Sequence, residues 1–68
     1  MYYEINVALN GRHFFATDKR SITYIKDLQI KLKVMMEKFP KEEGYTISVS
    51  EHLEVSKGLD IQEILDYK

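Results

Sequence analysis

Between Tyr2 and Leu9 the chain places Tyr3, Ile5, Val7 and Leu9 at every second position, with Tyr2, Glu4, Asn6 and Ala8 between them. A period of two is that of a strand with one buried face. Asn10-Gly11 follows directly, a dipeptide that accepts the two positive φ angles of a type I′ turn. Arg12 to Thr17 then resume with aromatic and β-forming residues. The pattern predicts a β-hairpin. A two-residue loop sets Leu9 opposite Arg12, Ala8 opposite His13, Val7 opposite Phe14, Asn6 opposite Phe15 and Ile5 opposite Ala16. The core face is then Ile5, Val7, Leu9, Phe14 and Ala16, and Phe15 turns away from it beside His13.

Asp18-Lys19-Arg20-Ser21 is a polar connection in which Ser21 can cap a helix running to about Phe39, where Pro40 forces a stop. Ile25, Leu28, Leu32, Met35 and Phe39 follow the three-four spacing of one buried helical face, with Ile22 and Met36 at its edge. Lys26, Asp27, Lys33, Glu37 and Lys38 fall away from that stripe, and so do two aliphatics, Ile30 and Val34. After the polar segment from Pro40 to Gly44, Tyr45, Ile47 and Val49 alternate with Thr46, Ser48 and Ser50. This predicts a third strand to about His52, with Leu53 and Val55 as a candidate extension. Asp60, with Glu63 three residues on, can cap a short C-terminal helix whose apolar edge is Ile61, Ile64 and Leu65.

The order predicts an α+β fold of two layers, ββαβ with a short terminal α. In it a three-stranded sheet, the hairpin plus a third strand, carries one long helix on one face. The third strand runs parallel to the second, most simply with the first between them. The other sheet face then displays Tyr2, Glu4, Asn6, Ala8, His13, Phe15, Thr46, Ser48 and Ser50, together with His52. Phe15 is out of place there, because an exposed phenyl ring brings a monomer nothing. It is either covered by the C-terminal segment or part of a contact surface for a partner.

Sixty-eight residues make one small domain, residues 1–68, and a chain of this size hides only about 60% of its unfolded surface. The composition, 44% hydrophobic and 31% charged with one proline, is that of a folding chain and not a disordered one. The absence of cysteine excludes disulfides, thiolate zinc sites and a cysteine nucleophile. No apolar run approaches the ~18 residues of a membrane span, and the expected location is cytoplasmic. Residues 1–41 carry eight Lys/Arg against four Asp/Glu, whereas residues 42–68 carry two against seven. The halves are +4 and −5, and the whole is −1. So weak a balance argues against a dedicated, sequence-independent nucleic-acid binder.

The chain carries little recognisable chemistry. His13 and His52 stand in no metal-binding spacing, glycines 11, 44 and 58 form no phosphate loop, and no serine sits on a strand-to-helix elbow. No catalytic residue, metal or cofactor is expected. The expected function is a small non-enzymatic module that binds a protein partner. Its contact residues are Arg12, His13, Phe15, Lys19 and Arg20, with Ile30 and Val34 as a second, self-associating stripe. The alternative is a single-stranded nucleic-acid (RNA) binder, in which Arg12, Lys19 and Arg20 hold phosphates and Phe15 stacks on bases.

The run GRHFFATDKRS before a helix, followed by EKFPKEEGYTISVS, resembles small accessory proteins of tailed bacteriophages, over residues 5 to 50. In such chains a hairpin, one helix and a closing strand make up the whole product. The resemblance implies action by binding one host macromolecule and altering its activity, and it assigns no residue a role. Ile61 to Lys68 lie outside it.

Overall fold

The hairpin forms where alternation and the Asn-Gly turn place it. In the computed structural model, which describes residues 1–68, β1 (Tyr2–Leu9) pairs antiparallel with β2 (Arg12–Ala16). Asn10 and Gly11 take φ of 51° and 83°, the two left-handed residues of a type I′ turn. Leu9 faces Arg12 and Ala8 faces His13, as the short loop dictates. Phe14 is then an unpaired bulge, so Val7 faces Phe15 and Asn6 faces Ala16. One extra residue exchanges the faces of everything beyond it. Phe15 therefore lies on the helix side with Val7 and not on the open face, and Ala16 lies on the open face and not in the core. Beyond the strand, the Thr17 N–H donates to the Ile5 carbonyl at 3.1 Å and Thr17 Oγ1 accepts from the Ile5 N–H at 3.0 Å.

The long helix, α1 (Ile25–Lys38), starts later than a Ser21 cap would allow. Ile22 is fully buried in an isolated bridge to Tyr3, whose N–H donates to its carbonyl at 2.7 Å. A residue held in that extended pairing cannot join a helical turn. Ser21 Oγ donates to the Asp18 carbonyl instead, and Tyr24 takes the N-cap position without a side-chain hydrogen bond. Within α1 the predicted stripe holds: Leu28 and Leu32 are fully buried, and Ile25 and Met35 pack against the core. The helix ends before Phe39 and Pro40, as proline requires.

A single 3₁₀ turn, Lys41–Glu43, leads to Gly44 at φ 94°. A Cβ at Gly44 would collide with the Asn10 side chain, and the Gly44 carbonyl accepts the Asn10 N–H at 2.9 Å. The hairpin turn is thus seated on the entry to β3 (Tyr45–His52). That strand pairs antiparallel with β1 along its length, from Tyr2 opposite His52 to Leu9 opposite Tyr45. β3 consequently runs parallel to β2 with β1 between, as expected.

The sheet has four strands, not three. Leu53 to Val55 form an exposed loop and do not extend β3. β4 (Ser56–Leu59) returns along the outer edge of β3, giving the order β2-β1-β3-β4. Ser-Lys-Gly-Leu has no alternation to read; the free edge of β3 supplies the pairing that makes it a strand.

Asp60 caps α2 (Ile61–Asp66), its Oδ1 accepting from the N–H groups of Gln62 and Glu63 at 2.8 and 3.2 Å. α2 lies beside α1 on the same side of the sheet, because Gln29 Nε2 of α1 donates to the carbonyls of Ile64 and Tyr67, each at 2.7 Å. The C-terminal segment therefore does not cover the open face. Tyr3, Ile5, Ile22, Leu28, Leu32, Val49 and Ile64 form the core of this α+β domain. Only eight of 68 residues are buried. With each buried aliphatic contributing about 1.5–3 kcal/mol, few can be lost.

Candidate functional site

β1 and β3 are interior strands, whereas β2 is an edge whose residues Arg12 to Phe15 are all exposed. The helical layer does not reach over it. The bulge turns two consecutive phenylalanines toward the helix side, where Phe14 keeps 51% and Phe15 40% of its surface in water. Phe39, at the C-cap of α1, stands against both. Its ring centroid is 5.7 Å from Phe14 at an interplanar angle of 68°, 6.4 Å from Phe15 at 28°, and 5.1 Å from Tyr45 at 57°. Phe14 also meets Tyr45 edge-on at 5.6 Å and 69°. These distances and tilts suit the ring quadrupoles: Phe14, Phe39 and Tyr45 contact one another, and Phe15 joins them through Phe39. The result is an aromatic corner built by β2, the end of α1 and the start of β3.

Beside this corner runs a groove of about 270 Å³ lined by Met36, Phe39, Tyr45, Ile47 and Ile61, with Lys41 as its one charged residue. On the hairpin side, Leu9, Asn10, Arg12, His13 and Phe14 line a second, wider depression. The rings are therefore flanked by a cation on each side, Lys41 and Arg12. Monomeric proteins seldom display so continuous an apolar surface without using it.

No protein family, curated protein or solved structure matches the chain.

Of the residues singled out by sequence, Arg12, His13 and Phe15 share β2. Lys19 and Arg20 do not join them. They occupy the turn beyond its far end, where Arg20 adopts φ 63°. Arg12 stands at the turn end of β2, four strand steps of ~3.3 Å from Ala16, with Thr17 and Asp18 still before Lys19, so the basic residues fall in two places. Ile30 and Val34 stand exposed on α1 at 64% and 43%. Phe14, Phe39 and Tyr45 fit the buried faces that the periodicity predicts, and the structure gathers them with Phe15 at this corner, where Phe14 is exposed. The available signal was their number: four rings gathered at the end of so small a domain exceed what its core can receive.

The open face is polar. Tyr2 and His52 stack across β1 and β3 with centroids 4.7 Å apart and planes within 2°. His52 Nε2 lies 2.9 Å from Ser50 Oγ and 3.7 Å from Glu4 Oε1, and Glu4 Oε1 accepts from Asn6 Nδ2 at 3.0 Å. Serine, histidine and carboxylate thus meet, but hydroxyl and carboxylate address the same ring nitrogen. A general-base relay places them on opposite nitrogens. This group is a cross-strand clasp between β1 and β3. His13, opposite Ala8, is four residues along β1 from Glu4, ~13 Å of strand, so the two histidines stay apart. No group of three or more His, Asp or Glu side chains is placed to hold a metal ion, and no helix is long and apolar enough to cross a membrane.

Proposed function

We propose that this chain is a small non-enzymatic binding module that holds a protein partner at the corner of Phe14, Phe15, Phe39 and Tyr45. The observation that carries the reading is the bulge at Phe14, which presents two phenylalanines on an uncovered edge strand. Bulges re-aim side chains, and an edge strand so short and irregular is a poor template for adding another strand. Recognition then runs through side chains. The partner segment that fits is apolar, with aromatic or aliphatic residues for the groove and a carboxylate for Lys41 or Arg12. A host macromolecule bound in this way agrees with the resemblance to small phage products.

Selection from a random peptide library on the immobilised chain tests this. Enriched peptides should pair aromatic or aliphatic residues with Asp or Glu and bind at least tenfold more weakly to Phe14→Ser/Phe15→Ser. Peptides without acidic residues, or peptides indifferent to the double variant, would refute it. The nucleic-acid alternative uses the same rings with Arg12, and it is separated by titrating an oligouridine. Binding that falls steeply with salt, and that the double variant abolishes, would replace the protein partner with single-stranded RNA.

A further inference from the structure

At the end of β3 away from the aromatic corner, three residues, Leu53 to Val55, join β3 to β4. The pairing of His52 with Ser56 closes this loop, and His52 is itself stacked on Tyr2 with ring centroids 4.7 Å apart. On that anchored base Leu53 keeps 64% and Val55 79% of its surface in water, the latter the highest value of any large apolar residue in the chain. Hairpin loops this short are ordinarily built from Gly, Asn, Asp or Ser, so two aliphatics serve no local geometry there. Glu54, exposed between them, is the loop's only charge and forms no ion pair.

The groove beside the corner is the converse of this loop. Met36, Phe39, Tyr45, Ile47 and Ile61 give it apolar walls, and Lys41, its one charged residue, is likewise without an ion pair. Leu-Glu-Val offers two aliphatics with a carboxylate between them, which is what apolar walls and a single cation select. The loop cannot reach the groove of its own molecule. Tyr45 lies at one end of β3 and His52 at the other, seven steps of ~3.3 Å or about 23 Å, and the β3–β4 ladder holds the loop at its end. Only another molecule brings the two surfaces together.

We infer that the Leu53-Glu54-Val55 loop of a second copy of this chain occupies the groove, with Glu54 against Lys41. The inference rests on the reading of the corner as a recognition site and names the segment it receives. The contact joins two different surfaces, so each pair leaves one loop and one groove free, and association continues into short chains or closes into a ring. A three-residue loop in a groove of about 270 Å³ buries far less than the ~1,200 Å² of a stable complex, and the dissociation constant is on the order of a millimolar. At about 20 μM the chain is then a monomer.

The test is a dilution series of the whole chain, from about 2 mM to about 20 μM, followed by backbone amide shifts and by sedimentation. With rising concentration, shifts should grow together at Leu53 to Val55 and at Met36, Phe39, Lys41 and Ile61, and the weight-average mass should pass that of a dimer. Leu53→Ser/Val55→Ser should weaken association at least tenfold. Glu54→Lys and Lys41→Glu should each weaken it at least threefold alone, and an equimolar mixture of the two should recover it, because the exchanged charges then meet. All four residues lie at the surface, and amide dispersion in the same spectra reports that each variant is folded. Shifts at Ile30 and Val34 in place of the loop, or a mixture that associates no better than its components, would overturn the inference. So would spectra that do not change across the series. If peptides selected on the corner still bind there, that result removes only the second copy as occupant; if they do not, the corner's recognition role falls with it.

Discussion

β1 and β2 are joined by two residues and share one ladder, yet they do opposite things. β1 buries Tyr3, Ile5 and Val7 between two neighbouring strands and under the helices, and it carries the cross-strand clasp of Tyr2, Glu4 and His52 on its other face. β2 is an edge with four consecutive exposed residues, a bulge, and two phenylalanines half in water. The difference lies in position and not in composition, because both strands are rich in apolar and aromatic residues. A strand with partners on both sides spends its side chains on the core; an edge strand beyond the helices has side chains free for recognition.

This contrast can be broken in four places. Ile5→Ala removes a fully buried side chain from β1 and should cost about 3 kcal/mol, enough to leave much of so small a domain unfolded in a urea titration. A loss below ~1 kcal/mol would mean that β1 is not the keystone strand. Gly44→Ala should cost about 1–2 kcal/mol, since it demands a positive φ and drives a methyl group into Asn10. Retention of full stability would show that the hairpin turn is not seated on β3. Phe15→Ser should cost no more than ~1 kcal/mol by the same titration, because its ring is already half solvated. A cost like that of Ile5→Ala would make the corner a second core. Ile30→Lys should change stability by less than ~0.5 kcal/mol. It should also leave the mass by light scattering at 8.1 kDa. A wild-type dimer that this variant dissociates would instead assign the interface to Ile30 and Val34.

The elements whose periodicity is set by burial were readable from the residues. Alternation in β1 and β3, the Asn-Gly turn, the Leu28–Leu32 stripe and the Asp60 cap all appear where their local chemistry puts them. The misreadings come from interactions between distant segments. Ile22 looked helical by spacing, but its bridge to Tyr3 holds it extended. Ser56 to Leu59 became a strand because β3 had a free edge. The bulge mattered most: one unpaired residue at Phe14 moved Phe15 from the open face to the helix side and so moved the candidate site. Nothing in Arg-His-Phe-Phe announces a bulge, since regular pairing would have buried Phe14 and left the same turn intact. His13, which precedes the bulge, keeps the polar face that regular pairing gives it, and Lys19 and Arg20 lie in the turn beyond the strand, away from Arg12.

Stability and binding measured together on Phe14→Ser/Phe15→Ser test most directly whether β2 displays these rings for a partner. The variant should unfold within about 1–2 kcal/mol of wild type in urea. In calorimetry it should bind the selected acidic, apolar peptide at least tenfold more weakly. Undiminished peptide affinity in a variant that remains folded would contradict the account and leave the aromatic corner as no more than an exposed edge of the core.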